Sequence, residues 1–288
     1  MKLALIGVGL IGGSFARAAL STRAVTSVVG FDADAGALSA ALRLGAITAI
    51  ADSAEAAVQQ ADFVMLAVPV GAMASVMKEI APHLRADAIV TDVGSTKSSV
   101  IAAARAELGT HFPRFVPGHP IAGRERPGVE SSEPRLFDGK LYIATPVAGT
   151  DPAATARVEA LWQRLGARVE RMDAHEHDRV FAAVSHLPHL LAFALVAQIA
   201  REDDAERKLA KAGAGFRDFT RIAASSPRMW RDVCIANREA LTGELRRYRV
   251  LLDELQAALD ADDGDALEAV FRAAAECRRT HAPRLDAE

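Results

Sequence analysis

Apolar positions along this chain follow two rhythms. Up to about residue 172, short apolar runs alternate with helical patterns; beyond it only helical patterns remain. The runs Leu3 to Ile6, Val25 to Phe31, Ile47 to Ile50, Phe63 to Val68, Ala88 to Asp92, Phe115 to Pro117, Leu141 to Thr145 and Ala167 to Met172 predict strands, the last closing the sheet. Several are uninterrupted, as expected where both faces of a parallel sheet are covered. Between them Ala33 to Leu44, Ser53 to Gln60, Ala72 to His83, Ser98 to Leu108 and Pro152 to Leu165 read as helices, the last with Asp151 as its cap. Residues Arg126 to Phe137 are polar, carry two prolines and read as an excursion loop. The expected fold is α/β: a Rossmann-like doubly wound sheet domain over residues 1–172, then an all-helical dimerisation domain over 173–288.

In that second part, Ala174 to Arg201 predicts a long helix kinked at Pro188, with the apolar run Leu190 to Ala200 buried all round at a domain or subunit interface. Leu245, Tyr248, Leu252, Leu255 and Leu259 form a coiled-coil-like seam. The last helix is expected to open on a capping-box-like pair, Asp265 and Glu268, and to bury Leu267, Val270, Phe271 and Ala274. So apolar a helical half predicts a homodimer.

The first strand runs into Gly7-Val8-Gly9-Leu10-Ile11-Gly12-Gly13-Ser14, and the second closes on Asp32. Strand, glycine turn, helix, strand and acid, in this order, describe a dinucleotide-binding βαβ unit. Gly7 makes the tight turn, Gly9 lets backbone approach a pyrophosphate, and Gly12 lets the helix pack on the strand. The helix N-terminus, with Leu10 and Ile11, then faces the phosphates. Asp32 accepts the ribose hydroxyls and repels a 2′-phosphate, which favours NAD as the cofactor. Val68 and Pro69, just past a buried strand, are expected to flank it. Four glycines and Arg17 make this stretch a poor signal peptide, so neither secretion nor cleavage is expected.

Composition narrows the class further. The chain has 288 residues, half hydrophobic and a quarter charged, with a net charge of −3. No global field recruits nucleic acid or an anionic membrane. The longest uncharged stretch, read as Phe63 to Met77, is too short to span a bilayer. Cys234 and Cys277 have no metal or redox spacing, which fits a reducing cytoplasm.

Candidate chemistry sits at strand ends. Ser95, in Asp92-Val93-Gly94-Ser95-Thr96-Lys97, either caps the following helix or touches substrate; Lys97 pairs with Asp92 or with a ligand. His119, where a loop leaves the sheet and clamped in Gly118-His119-Pro120, suits acid–base work because its pKa lies near neutrality. His175, His177, His186 and His189 do not make a metal site: the first two point to opposite helix faces and no HExxH is present. In Lys211 to Arg221, a surface salt bridge involving Asp218 is the simpler reading of the arginines.

Taken together these motifs resemble the prephenate/arogenate (cyclohexadienyl) dehydrogenases of tyrosine biosynthesis. The resemblance rests on the glycine turn, Asp92 to Lys97, Gly118 to Gly123 with Glu125 and Gly128, Ser185 to His189, Gly215 to Ala223, and Met229 to Asp232. It implies NAD-dependent oxidative decarboxylation of prephenate to 4-hydroxyphenylpyruvate, or of arogenate to tyrosine. It also implies that His119 draws the proton from the ring hydroxyl and that Ser95 orients either His119 or that hydroxyl. Arg221 would then clamp the ring carboxylate, His189 would face the side chain, and His186 and Glu125 would belong to the substrate site. No metal is implied, because aromatisation drives the loss of CO₂. Neither a mutase segment nor a regulatory domain is expected, so dedicated control by tyrosine is not. Two other readings are weighed. A β-hydroxyacid dehydrogenase needs a second-domain lysine, and Lys208 and Lys211 sit in no such motif. A non-catalytic NAD-sensing module has no need of His119 and Arg221.

Overall fold

The computed structural model describes residues 1–124 and 126–285. They divide into two compact units, Met1–Arg238 and Glu239–Glu288. The first unit opens with β1 (Lys2–Ile6), α1 (Leu10–Ser21), β2 (Ser27–Phe31), α2 (Ala35–Arg43), β3 (Ala49–Ile50) and α3 (Ala54–Val58). It continues with β4 (Phe63–Leu66), α4 (Met73–Ile80), β5 (Ile89–Asp92), α5 (Ser98–Glu107) and β6 (Phe115–Val116). These six strands form one parallel sheet in the order β3-β2-β1-β4-β5-β6. The chain therefore winds outward from β1 in one direction and from β4 in the other. Their carboxyl ends create the crevice at which such sheets bind ligands.

The uninterrupted apolar runs explain the layering. In β1, Leu3 and Leu5 enter one core while Ala4 and Ile6 enter the other; in β4, Phe63 and Met65 separate in the same way from Val64 and Leu66. Both faces are covered, so alternation is absent from the sequence. The first core is anchored by Trp162, fully buried, which stacks on Tyr142 at 4.3 Å and meets the rings of Phe15 and Phe137 at 4.9 Å.

Two expectations are corrected here. His119 does not lie in a loop leaving the sheet, and Ala167 to Met172 does not close that sheet. Instead β7 (Gly118–Ile121), β8 (Leu141–Ala144) and β9 (Arg168–Arg171), with α6 (Pro152–Arg164) between the last two, build a separate three-stranded sheet. β7 and β8 are antiparallel, with His119 opposite Ile143, and β8 and β9 are parallel. Tight packing sets this placement: a Cβ on Gly118 would overlap the Tyr142 hydroxyl. The excursion loop is also anchored. Ser14 Oγ accepts the Glu133 N–H at 2.9 Å, and Arg17 donates to the Ser132 carbonyl, so the loop lies on α1.

Helices follow: α7 (Ala174–Phe181), a π-helical turn (Ala182–His186), α8 (Leu187–Ala200), α9 (Ala205–Leu209), α10 (Ala214–Thr220), a 3₁₀ turn (Arg221–Ala224) and α11 (Pro227–Ala236). The irregularity expected from Pro188 takes the form of the π turn just before it: the helix runs on without a break from Ala174 to Ala200, and the wider turn takes up a proline that has no N–H to give to the turn before it. Within a single chain only Ala192 of the run Leu190 to Ala200 is buried, so the chain by itself does not cover this run all round. The reading of Phe63 to Met77 as the longest uncharged stretch is also corrected, because Val180 to Ala200 carries no Asp, Glu, Lys or Arg. The helical segment Ala174–Ala200 is long and apolar enough to cross a membrane by length and composition: an 18-residue window in it has a mean hydropathy of 1.9, and 28% of that window is buried.

α12 (Arg238–Asp260) leads into the second unit, which ends with α13 (Gly264–Leu285). The cap expected from Asp265 and Glu268 is made by Asp263, whose carboxylate accepts the Ala266 N–H at 2.9 Å. Leu267 and Val270 are half-buried, while Phe271 and Ala274 are exposed rather than buried.

Candidate active site

The glycine turn connects β1 to α1 at the crevice. Gly7 has φ +96°, and a Cβ there would lie 2.5 Å from the Ala67 carbonyl oxygen. A Cβ on Gly12 would overlap the Gly7 carbonyl. Only glycine lets the turn and the helix approach the end of β4 this closely. Gly9 differs, because nothing lies within 4 Å of where its Cβ would be. It precedes Leu10 and Ile11 and offers α1 no side-chain cap, so the N–H groups of the first turn have no internal acceptor. Asp32, at the end of β2, is held by the N–H groups of Val8 at 2.8 Å and Asp34 at 2.9 Å. Half-buried Val68 and exposed Pro69 follow β4 beside the turn. This open, uncapped helix end with a fixed carboxylate beyond it fits a dinucleotide: anionic phosphates satisfy the N–H groups and ribose hydroxyls meet the acid.

On the other side of β4 the carboxyl end of β5 carries Asp92. Its Oδ1 accepts the Gly118 N–H at 3.1 Å and its Oδ2 the Gly94 N–H at 2.7 Å. Lys97, fully buried, donates from Nζ to Asp92 Oδ2 at 2.5 Å and to the Gly118 carbonyl at 2.6 Å. Lys97 thus pairs with Asp92, the first of the two partners the sequence offered. Burial pushes its pKa down while the Asp92 charge pulls it up. Gly118 is gripped through both its N–H and its carbonyl, and this fixes the backbone from which His119 projects.

Ser95 does not cap α5. The role belongs to Asp178 on α7, whose carboxylate accepts the N–H groups of Lys97 at 2.7 Å and Ser98 at 2.9 Å. Burial alone would raise Asp178; hydrogen bonds from His177 and from these backbone groups outweigh it and hold the carboxyl down at about 2. The Ser95 hydroxyl is left half-buried, with no hydrogen-bond partner among the described residues.

His119 is partly buried. Its ring meets Phe181 at 5.0 Å and His177 at 5.2 Å, and its Nδ1 lies 2.9 Å from His177 Nε2. Burial first, then the neighbouring His177, Lys97 and His186, push its pKa well below the ordinary histidine range. His186, in the π turn, is fully buried and pushed down to about 4, chiefly by burial. Its Nδ1 accepts from Asn237 Nδ2 at 3.0 Å, and that amide also donates to the Asp178 carbonyl at 2.7 Å. His189 donates from Nδ1 to the Ser185 carbonyl at 2.9 Å, which leaves Nε2 with a lone pair; its ring stacks on Trp230 at 3.6 Å. Burial lowers its pKa, and the charge of Arg221 lowers it further.

His119, His186, His189 and Arg221 therefore lie within electrostatic reach of one another in turn, so that a positive charge on each would lower the pKa of the one before it. They lie about a hundred residues apart in sequence at the extremes, and the fold draws them together. Arg221 also lines a cavity of about 560 Å³ with Gly123, Arg124, Arg126, Ser131 and Glu133. Glu125 lies outside the described residues. No group of three or more His, Cys, Asp or Glu able to hold a metal occurs among the described residues. Four contributors were missed by sequence reasoning: His177, Asp178, Trp230 and Asn237. In sequence His177 reads only as a metal ligand to be rejected, and the adjacent His-Asp pair is the signal that points to it.

Comparison with known proteins gives consistent matches. The family model described as "Prephenate dehydrogenase, nucleotide-binding domain" matches residues 15–171, and "Prephenate dehydrogenase, dimerization domain" matches residues 173–273. A cyclohexadienyl dehydrogenase of Zymomonas mobilis is 37% identical, over 96% of this chain and 94% of its own length. A prephenate dehydrogenase of Bacillus subtilis is 34% identical over 95% of this chain and 74% of its own. Among solved structures, prephenate dehydrogenase from Aquifex aeolicus in complex with hydroxyphenyl propionate and NAD+ superposes with a TM-score of 0.87. It is 35% identical and covers 100% of this chain and 98% of that one.

Proposed function

This chain belongs to the prephenate dehydrogenase family, and from that premise we propose that it catalyses the NAD-dependent oxidative decarboxylation of prephenate to 4-hydroxyphenylpyruvate in the cytoplasm, with arogenate as a second substrate. The observation that carries the assignment of roles is the series His119, His186, His189 and Arg221 that the fold brings within electrostatic reach of one another. In this reading residues 1–172 bind the cofactor and residues 173–288 complete the substrate site.

The reaction needs a base at the ring hydroxyl, a cation for the ring carboxylate, and a hydride acceptor. NAD, when bound, supplies the acceptor. The turn Gly7, Gly9, Leu10, Ile11 and Gly12 holds its phosphates, Asp32 its ribose, and Val68 and Pro69 flank it. Because burial keeps His119 neutral, its imidazole takes the hydroxyl proton as the carbon beneath it is oxidised. The Ser95 hydroxyl, without a protein partner among the described residues, orients the substrate hydroxyl. Arg221 clamps the ring carboxylate; His189, rigidly stacked on Trp230, faces the side chain, and buried His186 supports it. Glu125 belongs to the same group by its motif position.

NADH formation with prephenate, and separately with arogenate, tests this directly, and no turnover on either sinks it. Arg221→Ala should raise KM by about 10- to 100-fold, the loss of a charge-assisted hydrogen bond, with a smaller effect on kcat. An unchanged KM would return Arg221 to a surface salt bridge.

We also infer a homodimer. The apolar α8 is only partly covered in a single chain, while His186 beside it is buried and bonded to Asn237, which favours a protein interface over a bilayer as its cover. The matched dimerization model spans this helix. A monomer by light scattering at micromolar concentration would count against it.

A further inference from the structure

We propose that His177 and Asp178 act as positioning residues that fix the tautomer of His119 and stabilise the imidazolium it becomes. The proposal deepens the reading above and rests on it.

The hydrogen bonds determine each proton in turn. Asp178 accepts backbone N–H groups on both oxygens, from Lys97 on Oδ1 and from Ser98 on Oδ2, so it stands as a carboxylate with no proton of its own. His177 Nδ1 lies 2.9 Å from Asp178 Oδ1 and must therefore carry hydrogen. His177 is fully buried, which keeps it neutral, so its Nε2 bears a lone pair. That lone pair faces His119 Nδ1 at 2.9 Å, and His119 must donate to it. The remaining nitrogen, His119 Nε2, is thus unprotonated and has no protein partner among the described residues. It is the atom free to take a proton. Starting from two backbone N–H groups, every step is forced by the one before it.

The second consequence concerns charge. When the substrate O–H bond breaks and an N–H bond forms at His119 Nε2, the ring becomes cationic. Its Nδ1–H already points at His177, and passing that proton to His177 Nε2 places the cation directly against the Asp178 carboxylate. The hydride leaves the substrate carbon for the nicotinamide, so the two-electron oxidation is balanced and His177 and Asp178 end the step without net change in electrons. A carboxylate–imidazole pair behind a base serves this purpose in hydrolases, where it orients the ring and stabilises its charged form. Here the arrangement is one imidazole longer.

The test compares two variants. His177→Phe keeps an aromatic ring against His119 and Phe181 but offers no nitrogen. His177→Gln places an amide oxygen near the position of Nε2 and can still accept from His119. Expected for His177→Phe is a fall in kcat of about 10²-fold or more, with NAD affinity and KM within about twofold. His177→Gln should recover about tenfold of that loss. A role confined to packing predicts the reverse, because phenylalanine fills the space better than glutamine. The proposal is overturned if His177→Phe keeps kcat within about threefold of wild type, or if His177→Gln is as impaired as His177→Phe while both bind NAD normally. Should the phenylalanine variant not fold, His177→Gln decides alone: a roughly tenfold fall in kcat at constant KM supports the relay, and wild-type kcat overturns it. Absent turnover in the wild type would overturn the functional reading and the relay with it. Wild-type turnover with unaffected variants would overturn the relay only.

Discussion

Replacing His119 with asparagine lowers kcat by about 10²- to 10⁴-fold, the range lost with a general base, and leaves NAD binding near wild type. The expectation follows from where each nitrogen of the ring sits. The asparagine amide reaches about as far as Nδ1 and can still donate to His177 Nε2, so the packing of β7 against α7 survives. What disappears is Nε2, the ring nitrogen with no protein partner among the described residues. An interaction realised only as the hydroxyl proton moves is lost from the transition state and not from the ground state, so kcat and kcat/KM fall together. The turn Gly7 to Gly12 and Asp32 are untouched, and a fluorescence titration with NAD should show it. The pH profile of the wild type gives a second check. The protonated base is inactive, and burial together with His177, Lys97 and His186 holds the pKa of His119 well below 6.5. The acid limb of kcat/KM should therefore lie below the ordinary histidine range, with activity flat through neutrality. Wild-type-like turnover in His119→Asn would remove this residue from the chemistry.

Lys97→Met should destabilise the fold by about 3–5 kcal/mol, the typical cost of removing one partner from a buried ion pair. Lys97 and Asp92 are both fully buried, and the lysine Nζ has two acceptors, Asp92 Oδ2 and the Gly118 carbonyl. Methionine fills most of the lysine stem's volume, so the loss is electrostatic rather than a cavity. It leaves a carboxylate in the interior with only backbone N–H groups for company. Denaturant unfolding of Lys97→Met measures the loss, and Lys97→Met/Asp92→Asn tests its origin. If the stranded charge is the cause, neutralising it recovers a substantial part, and the two substitutions are non-additive. A loss under about 1 kcal/mol would mean that the pair behaves like an exposed one. Activity should fall with stability, because the same Nζ holds the carbonyl of the residue before His119.

Much of this protein was readable in its sequence because the relevant physics is local. Unbroken apolar runs predicted strands covered on both faces, and β1 and β4 divide their side chains between two cores. The glycines at 7 and 12 marked positions where a Cβ has no room, and Asp151 stood as the cap of α6. Ordered motifs placed the family before any fold was seen. Tertiary structure decided matters that depend on which distant segments meet. Four residues around His119 read as a loop because glycine and proline are turn residues, yet pairing with β8 makes them a strand. Composition recorded how apolar the run Leu190 to Ala200 is but not what covers it, and a single chain covers it only in part. Lys97 had two possible partners until burial beside Asp92 chose one, since a buried ammonium requires a counter-charge. His177 looked like a discarded metal ligand until α7 brought it against a residue 58 positions earlier. The sequence by itself determined the platform, a glycine turn and an acid set for a dinucleotide. Only the tertiary structure decided which nitrogen of His119 is left free, because the answer depends on hydrogen bonds among segments that the chain keeps far apart.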